Sequence, residues 1–206
     1  MFLLNTLLLL AITVLAFYFL LIRPWQLRWG ARDEEVAMSL PGDEIVAKPH
    51  FHATRVVSID APPAAITPWI AQMGCNRAGF YSYDWIDNRG KPSARRVLQE
   101  FQNIREGDFI PMTPDGNHGM WIKAVKPDEY ILWWDKQGKA TWLWYFLPEG
   151  PGATRLLTRL RVRYKFTFPW VLYFMLQDAG DIIMMKKCML GIKMRAERLS
   201  HKPQVS

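Results

Sequence analysis

The stretch "FHATRVVSIDAPPAAITPWIAQMG", residues 51–74, places a strand pattern and a helix pattern on either side of two prolines. The run from Ala53 to Asp60 is rich in β-branched residues and stops before Pro62 and Pro63, as a strand does. The apolar residues after the prolines predict a short helix, and Gly74 is a typical C-terminal stop. A folded domain that opens with a strand and a helix is therefore predicted to begin near residue 51.

Further strand signals recur from residue 107 onward. A short signal, "GDFIPM" (107–112), is followed by "GMWIKAV" (119–125) and "EYILWW" (129–134), which flank a "KPD" turn. Next come "ATWLWYFLP" (140–148) and "ATRLLTRLRVRYKF" (153–166), which flank "EGPG". These turns predict two antiparallel hairpins. The 140–148 strand is apolar on both faces, so we expect it to be covered on both sides.

The last strand alternates two kinds of side chain. One set is Leu156, Thr158, Leu160, Val162, Tyr164 and Phe166, and the other is Arg155, Leu157, Arg159, Arg161, Arg163 and Lys165. The period of two predicts that the first set faces the core and that the basic set faces outward. For the basic set, which supplies much of the net charge of +7, two interpretations are a solvated face and attraction to anionic lipid headgroups. Nucleic-acid binding is not expected, because the aromatic residues face the other way.

One long helix is predicted from Pro169 to about Leu199, where apolar residues recur at helical spacing. The apolar stripe consists of Leu172, Met175, Ala179, Ile182, Ile183, Leu190 and Met194. Taken together, these elements predict an α+β fold in which one twisted antiparallel sheet carries a long C-terminal helix on one face.

Residues 2–22 carry no charge and are long enough for a transmembrane helix. The flanks favour an uncleaved anchor over a cleaved signal peptide, because no basic residue precedes the segment and no small-residue cleavage site follows it. Arg23, Arg28 and Arg32 come next, so the positive-inside rule predicts a single-pass membrane protein whose C-terminal domain is cytoplasmic. The predicted organisation is a transmembrane anchor at 1–22, a juxtamembrane linker at 23–50, a domain at 51–200 and a tail at 201–206.

Four motifs resemble the SRPBCC superfamily of START-like, helix-grip proteins. They are "IDAPPAAITPWIAQMG" (59–74), "GFYSYDWIDN" (79–88), "PSARRVLQEFQNIREGD" (92–108) and "MLGIKMRAERL" (189–199). The resemblance is to polyketide cyclase/dehydrase and lipid-transport types, in a membrane-anchored branch. It implies a hydrophobic cavity between a curved sheet and the C-terminal helix. Members use this cavity to bind or transfer lipids and other apolar molecules, and in some branches to cyclise polyketides.

The stretch "GFYSYDWIDNRG" (79–90) gathers aromatic and acidic side chains and has three interpretations. A structural corner is favoured, with Asp84 capping the short helix that follows it. A pocket lining is the second interpretation, since rings with polar tips suit a cavity wall. Catalysis is the third, with Tyr81, Tyr83 and Asp84 as acid–base candidates, because a tyrosine beside a carboxylate can act as a general acid.

Ten tryptophans exceed what a small core normally needs, and five of them lie in the predicted hairpins. Wide aromatic walls suit a flat or long apolar ligand. The candidates for lining a cavity are Tyr81, Tyr83, Trp85, Trp121, Trp133, Trp142, Trp144, Leu160, Val162, Tyr164, Met175, Ala179 and Ile182. Core packing is the alternative explanation for these residues.

The sequence favours binding over catalysis, and it indicates no cofactor and no metal. Cys75 and Cys188 make neither a zinc-binding set nor a disulfide framework, and His50 and His52 lack a third ligand. No catalytic triad order, phosphate loop or dinucleotide motif occurs. The predicted function is membrane-tethered binding, and possible transfer, of an apolar small molecule or lipid. The alternatives are a cyclase or dehydratase acting on a polyketide-like or aromatic substrate, and a non-catalytic scaffold for a protein partner.

Overall fold

The computed structural model of the protein describes residues 2–200, so the tail predicted at 201–206 lies outside the described residues. Within them, one antiparallel sheet has the strand order β1-β6-β5-β4-β3-β2. The strands are β1 Phe51–Ile59, β2 Phe109–Pro111, β3 Gly119–Lys126, β4 Tyr130–Trp134, β5 Ala140–Pro148 and β6 Thr154–Val162. Both predicted hairpins are confirmed, β3 with β4 and β5 with β6, and the first strand pairs with the last.

The helices include one long element at each end of the chain. They are α1 Phe2–Phe17, a π-helical turn Tyr18–Ile22, α2 Arg23–Leu27, α3 Asp33–Ala37, α4 Pro63–Ala71, α5 Asp84–Asp87, a 3₁₀ turn Gln99–Phe101 and α6 Trp170–Ser200. The first three pieces run on as one helix, Phe2–Leu27, which we call the N-terminal helix. Pro24 has no backbone N–H to donate to a carbonyl of the preceding turn. The wider π-helical turn, Tyr18–Ile22, lies directly before this part of the helix.

Most of the N-terminal helix is apolar and exposed, and its buried residue, Gln26, lies near the C-terminal end. Its most apolar window has a mean hydropathy of 2.4, and none of that window is buried. It is the one helix within residues 2–200 that is long and apolar enough to cross a membrane. Length and composition fit a membrane span and a signal sequence alike.

The main core lies between the inner face of the sheet, α4 and the second half of α6. Ile122 and Trp144 from the sheet, Ile70 from α4, and Met189 and Ile192 from α6 are all fully buried there. A curved antiparallel sheet holding a long C-terminal helix on one face confirms the predicted α+β, helix-grip-like architecture.

The face of α6 that packs is not the predicted apolar stripe. Of that stripe only Ile182 is buried, and the buried residues are Asp178, Ile182, Met185, Cys188, Met189, Gly191, Ile192 and Ala196. The reason is that α6 carries apolar residues on several faces, so their spacing alone does not select the packed one. The close approach at Gly191 helps to select it, since a Cβ there would lie 2.5 Å from the backbone oxygen of Tyr81.

The outer face of the sheet is covered by the chain that follows the N-terminal helix. Leu40 packs with Leu143 of β5 and Leu157 of β6 in a second apolar cluster, and Val46 is also fully buried. The prediction that β5 is covered on both sides is therefore confirmed. Part of the predicted linker, 23–50, is folded onto the sheet.

The basic side chains of β6 face outward as predicted, but the two interpretations given to them are wrong for three members. Arg155, Arg159 and Arg161 are buried beneath the covering segment, so they form neither a solvated face nor a surface for headgroups. The Nε of Arg155 lies 2.5 Å from a carboxylate oxygen of Glu35, while Arg159 and Arg161 share Asp43 at 2.7 and 3.2 Å. Such pairing offsets the desolvation cost of several kcal/mol for each buried charge.

Candidate functional site

A groove of about 650 Å³ lies between the first half of α6, the α5 region and strand β5, and we call it the α6 groove. Its walls are mainly apolar. They include Phe80, Ile86, Met112, Trp142, Tyr173, Leu176, Ile183, Met184 and Met185. This volume is within the range of small-molecule sites.

Asp87, the last residue of α5, is an exception among these walls. Both of its carboxylate oxygens are buried and have no hydrogen-bond partner among residues 2–200. Burial, and after it the negative charge of Asp84, raises the pKa of Asp87 from 3.8 to about 6, while its own backbone N–H and, after that, Lys187 oppose the shift. A buried carboxyl group without a partner is rare in folded proteins and is typical of functional sites.

Asp87 was not among the sequence candidates, although it belongs to the stretch that was singled out. It lies three residues after Asp84, so both carboxylates fall on one side of a short helix. That spacing is the sequence signal that could have identified it. The difference between the two acids lies in their surroundings, because the Asp84 carboxylate accepts hydrogen bonds from the backbone N–H of Ser93 at 3.0 Å and from its hydroxyl at 2.5 Å.

Tyr81 also has its hydrogen bonds satisfied within the protein. It is buried in the core, where its hydroxyl donates to the carbonyl of Trp69 at 2.9 Å and accepts from Gln72 at 3.0 Å. Burial raises the pKa of this phenol well above its usual range. With Asp84 bound to Ser93, these contacts are those of a structural corner. The prediction that Asp84 caps the short helix is wrong, because Asp84 is itself the first residue of α5, Tyr83 holds the N-cap position, and no side-chain hydrogen bond caps the helix. A catalytic role for Tyr81, Tyr83 or Asp84 stays a prediction.

Two other members of this stretch face the surface. The ring of Tyr83 lies 3.7 Å from the ammonium group of Lys187, a cation–π contact. Trp85 is 74% exposed. Neither side chain lines the α6 groove as the structure describes it.

The remaining cavity candidates are distributed over several places. Trp142 lines the α6 groove, where its ring N–H donates to the hydroxyl of Thr158 at 2.8 Å. Trp133 and Trp144 are fully buried in the core, and Ile182 is also buried. The other candidates on the sheet, Trp121, Leu160 and Val162, are partly buried. Ligand contact by any of them stays a prediction.

A second cavity of about 620 Å³ separates the N-terminal helix from the first half of α6, and we call it the anchor cavity. Three sequence candidates, Tyr164, Met175 and Ala179, line it together with apolar residues of α1. The groove and this cavity thus lie along the same half of α6.

Asp178 lies where the N-terminal helix meets α6, and the sequence reasoning missed it. Its carboxylate accepts hydrogen bonds from the hydroxyls of Tyr18 and Tyr164, at 2.9 and 3.2 Å, and from Arg23 at 2.8 Å. Gln26 donates to the backbone carbonyl of Asp178 at 2.9 Å. Burial, and after it the charge of Asp178, raises the pKa of Tyr164, so this phenol remains a donor.

One turn further along α6, Asp181 pairs with Arg55 of β1, which is fully buried. Two acids three residues apart in the mainly apolar first half of α6 are the signal that could have identified this pair of contacts. Together they fix the first half of α6 to the N-terminal helix and to the sheet.

The described residues provide little for metal or nucleophile chemistry. Between residues 2 and 200 there is no group of three or more His, Cys, Asp or Glu side chains that could hold a metal ion. Burial raises the pKa of Cys75 to about 11 and that of Cys188 further, so both thiols stay protonated. What the arrangement offers chemically is a mainly apolar surface with two carboxyl groups: that of Asp181, which is paired with Arg55, and that of Asp87, whose pKa is raised by burial to about 6.

Comparisons with known proteins found distant similarity to solved structures. No protein-family model matches the sequence, and no curated protein matches it significantly. A START-superfamily protein from Mycobacterium smegmatis is 18% identical, with a TM-score of 0.43 over 72% of this chain and 98% of that one. A polyketide-cyclase-like protein from Corynebacterium glutamicum is 13% identical, with a TM-score of 0.34 over 73% and 89%.

A conserved protein of unknown function from Enterococcus faecalis is 15% identical, with a TM-score of 0.42 over 80% of this chain and 86% of that one. Because these TM-scores are below 0.5, the helix-grip-like fold is assigned from the strand order of the sheet and the position of α6 in this chain.

Proposed function

We propose that the protein is a membrane-anchored binding protein that holds an apolar small molecule or lipid in the α6 groove. The observation that carries this proposal is a groove of about 650 Å³ with apolar walls and one buried carboxyl group without a partner, that of Asp87. Binding sites for small molecules combine mostly apolar walls with a few polar groups that orient the ligand. Trp142 and Met184 form part of the apolar wall of the α6 groove, and Asp87 supplies the polar group.

The N-terminal helix supports the membrane part of the proposal. Placed across a bilayer, it holds the groove beside a store of apolar molecules and raises their effective concentration. Arg23, Arg28 and Arg32 at its C-terminal end favour a cytoplasmic domain. Transfer of the bound molecule to or from the bilayer follows naturally from this placement.

Asp87 also sets an expectation for the ligand. When ionised, its oxygens accept hydrogen bonds, and leaving them unpaired costs about 1–3 kcal/mol or more. A ligand that brings a hydroxyl or an amino group to this position removes that cost. We therefore expect an amphiphile, apolar over most of its length, with a hydrogen-bond donor at one end.

A second candidate function, an enzyme of the cyclase or dehydratase type, is favoured by the pKa of Asp87. A carboxyl group with a pKa of about 6 can both take up and give back a proton near neutral pH. In this alternative Asp87 transfers a proton to or from an aromatic or polyketide-like substrate in the same groove.

Co-purification tests the binding function directly. Full-length protein is extracted from membranes in mild detergent and examined by native mass spectrometry, and the bound molecules are then identified by lipid analysis. We expect one reproducible apolar class at a stoichiometry near one. A protein without any co-purified apolar molecule would contradict both the binding protein and the enzyme.

Substitutions at Gly180 provide a matched pair for the same experiment. Gly180 lines the groove, and a Cβ there meets no atom within 4 Å. Gly180→Phe should fill the groove and abolish co-purification, whereas Gly180→Ala should retain it. Retention by both variants would place the ligand elsewhere. Asp87→Asn separates the two functions, because an enzyme would lose turnover while its groove still binds.

A further inference from the structure

Seven large apolar side chains around the start of α6 are at least half exposed. They lie in residues 166–176, which we call the apolar tip, and they are Phe166, Phe168, Trp170, Leu172, Tyr173, Met175 and Leu176. Contiguous exposure on this scale is rare on soluble surfaces and marks a contact with protein or membrane. At eleven residues the tip is too short to span a bilayer.

The anchor cavity shows what lies beside the tip. It is lined by Val14 and Leu15 of the N-terminal helix and by Val171 and Met175 of α6. With a rise of 1.5 Å per residue, Val14 lies roughly 13 Å along the helix from Arg23. A residue that far from the charged end of a membrane span is well inside the hydrocarbon. The anchor cavity extends from Val14 to Arg23 and Asp178, and Val171 and Met175 of the tip line it beside the N-terminal helix.

This geometry is held firmly by the contacts of Asp178. Hydrogen bonds from Tyr18 and Arg23 fix α6 to the base of the N-terminal helix, so the tip cannot move away from α1 without breaking them. Arg163 and Lys165, just before the most exposed part of the tip, are themselves exposed. Basic residues at that position suit the anionic headgroup layer.

We propose that the apolar tip is a second membrane element, inserted among the acyl chains of the leaflet on the side of the folded domain. This inference rests on the proposed membrane placement of the N-terminal helix and extends it. The anchor cavity is then filled by acyl chains. Because Tyr173 and Leu176 belong both to the tip and to the wall of the α6 groove, the groove opens to the leaflet, and an amphiphile reaches Asp87 without crossing water.

Site-directed spin labelling of the full-length protein in nanodiscs tests this placement. Labels are attached at Phe168→Cys, Leu172→Cys and Leu176→Cys, with Gln137→Cys in an exposed loop as the control. The native thiols are buried, and unsubstituted protein reports any background labelling. We expect oxygen, which concentrates in hydrocarbon, to collide with the tip labels more than a water-soluble nickel chelate does, and the reverse at the control.

Two outcomes would overturn the proposal. Tip labels that collide mainly with the nickel chelate, as the control does, would place the tip in water. Tip labels that are protected from both reagents would place it against protein, for example a second copy of the chain. As a check without any substitution in the tip, lipids carrying a photoreactive group on the acyl chain should label residues 166–176 of the natural sequence, and absence of such labelling would equally contradict insertion.

A label at Leu8→Cys separates this inference from the function on which it rests. If Leu8 is in hydrocarbon and the tip is not, the anchor stands and the second membrane element fails. If Leu8 is also in water, the membrane placement of the whole protein fails. Lipid analysis of the same preparations reports on groove binding independently of both results.

Discussion

The two halves of α6 belong to one helix but have different surroundings. In residues 185–200 the side chains of Met189 and Ile192 are fully buried in the main core. In residues 170–184 the apolar side chains are mostly exposed, and the buried residues are Asp178 and Ile182. The second half is therefore held by packing and the first half by ion pairs. An apolar helix face that continues beyond the core indicates another apolar partner, and here the bilayer is the partner we propose.

The largest expected effect comes from the ion pair in the first half. Asp181→Ala leaves the buried guanidinium of Arg55 without its carboxylate, which should lower the free energy of unfolding by about 3–5 kcal/mol. Urea unfolding in detergent micelles, followed by tryptophan fluorescence, measures this. Glu129→Ala removes a solvent-exposed pair with Lys126 and serves as the control, with a much smaller loss of stability. Equal losses in the two variants would contradict the role given to Asp181.

Truncation of one apolar side chain in each half compares the two most directly. Met189→Ala opens a cavity in the core and should cost about 2–5 kcal/mol. Leu176→Ala removes a side chain that is 76% exposed and should change the stability in detergent by no more than about 0.5 kcal/mol. The same urea titration measures both variants. A large loss for Leu176→Ala would mean that the tip packs against protein.

The two glycines of α6 give a finer comparison. A Cβ on Gly191 would lie 2.8 Å from the Cβ of Tyr81 and still closer to its backbone oxygen, so Gly191→Ala should destabilise by about 1–3 kcal/mol. At Gly180 an added Cβ would have no atom within 4 Å, so Gly180→Ala should stabilise the helix by about 0.5–1 kcal/mol. Thermal unfolding of the two variants should therefore shift in opposite directions, and shifts of the same sign would refute the difference in packing.

The smallest effect concerns the carboxyl group beside the groove. The folded protein holds the pKa of Asp87 at about 6, above the value of 3.8 that it has when unfolded, so this group lowers the stability as the pH rises through that interval. Asp87→Asn should stabilise ligand-free protein by about 1 kcal/mol above neutral pH, after allowance for solvent screening. The gain should vanish below about pH 4, and a gain independent of pH would exclude ionisation as its cause.

Much of the fold could be predicted because it depends on local patterns. The hairpins of β3 with β4 and of β5 with β6 follow from period-two alternation and from turn residues within a few positions. The long C-terminal helix likewise follows from its apolar content. The partners of Arg155 and Arg159 could not be predicted, because Glu35 and Asp43 are more than a hundred residues away and no spacing connects them.

The candidate site could be predicted only where it depends on local sequence. The stretch 79–90 is conspicuous from its composition, and the contacts of Tyr81 and Asp84 are those of a structural corner, although Asp84 bonds to Ser93 instead of capping α5. The neighbouring Asp87 was overlooked because what distinguishes it is the lack of a partner, which depends on the groove around it rather than on the adjacent residues. Trp142 lines the groove while Trp144, two residues away on the same face, is buried in the core, a difference set by where α6 lies.

The junction between the N-terminal helix and the sheet has a mechanical consequence. The carbonyls of Gln26 and Trp29 accept hydrogen bonds from Arg55 and from the backbone N–H of Val56, and Gly30 lies so close to β1 that no side chain would fit there. These contacts make the connection between the N-terminal helix and β1 rigid. A transmembrane helix changes its tilt when the bilayer becomes thinner or thicker. In the proposed placement the sheet is fixed to this helix and must rotate with it. Membrane thickness would therefore set the angle between the α6 groove and the lipid surface.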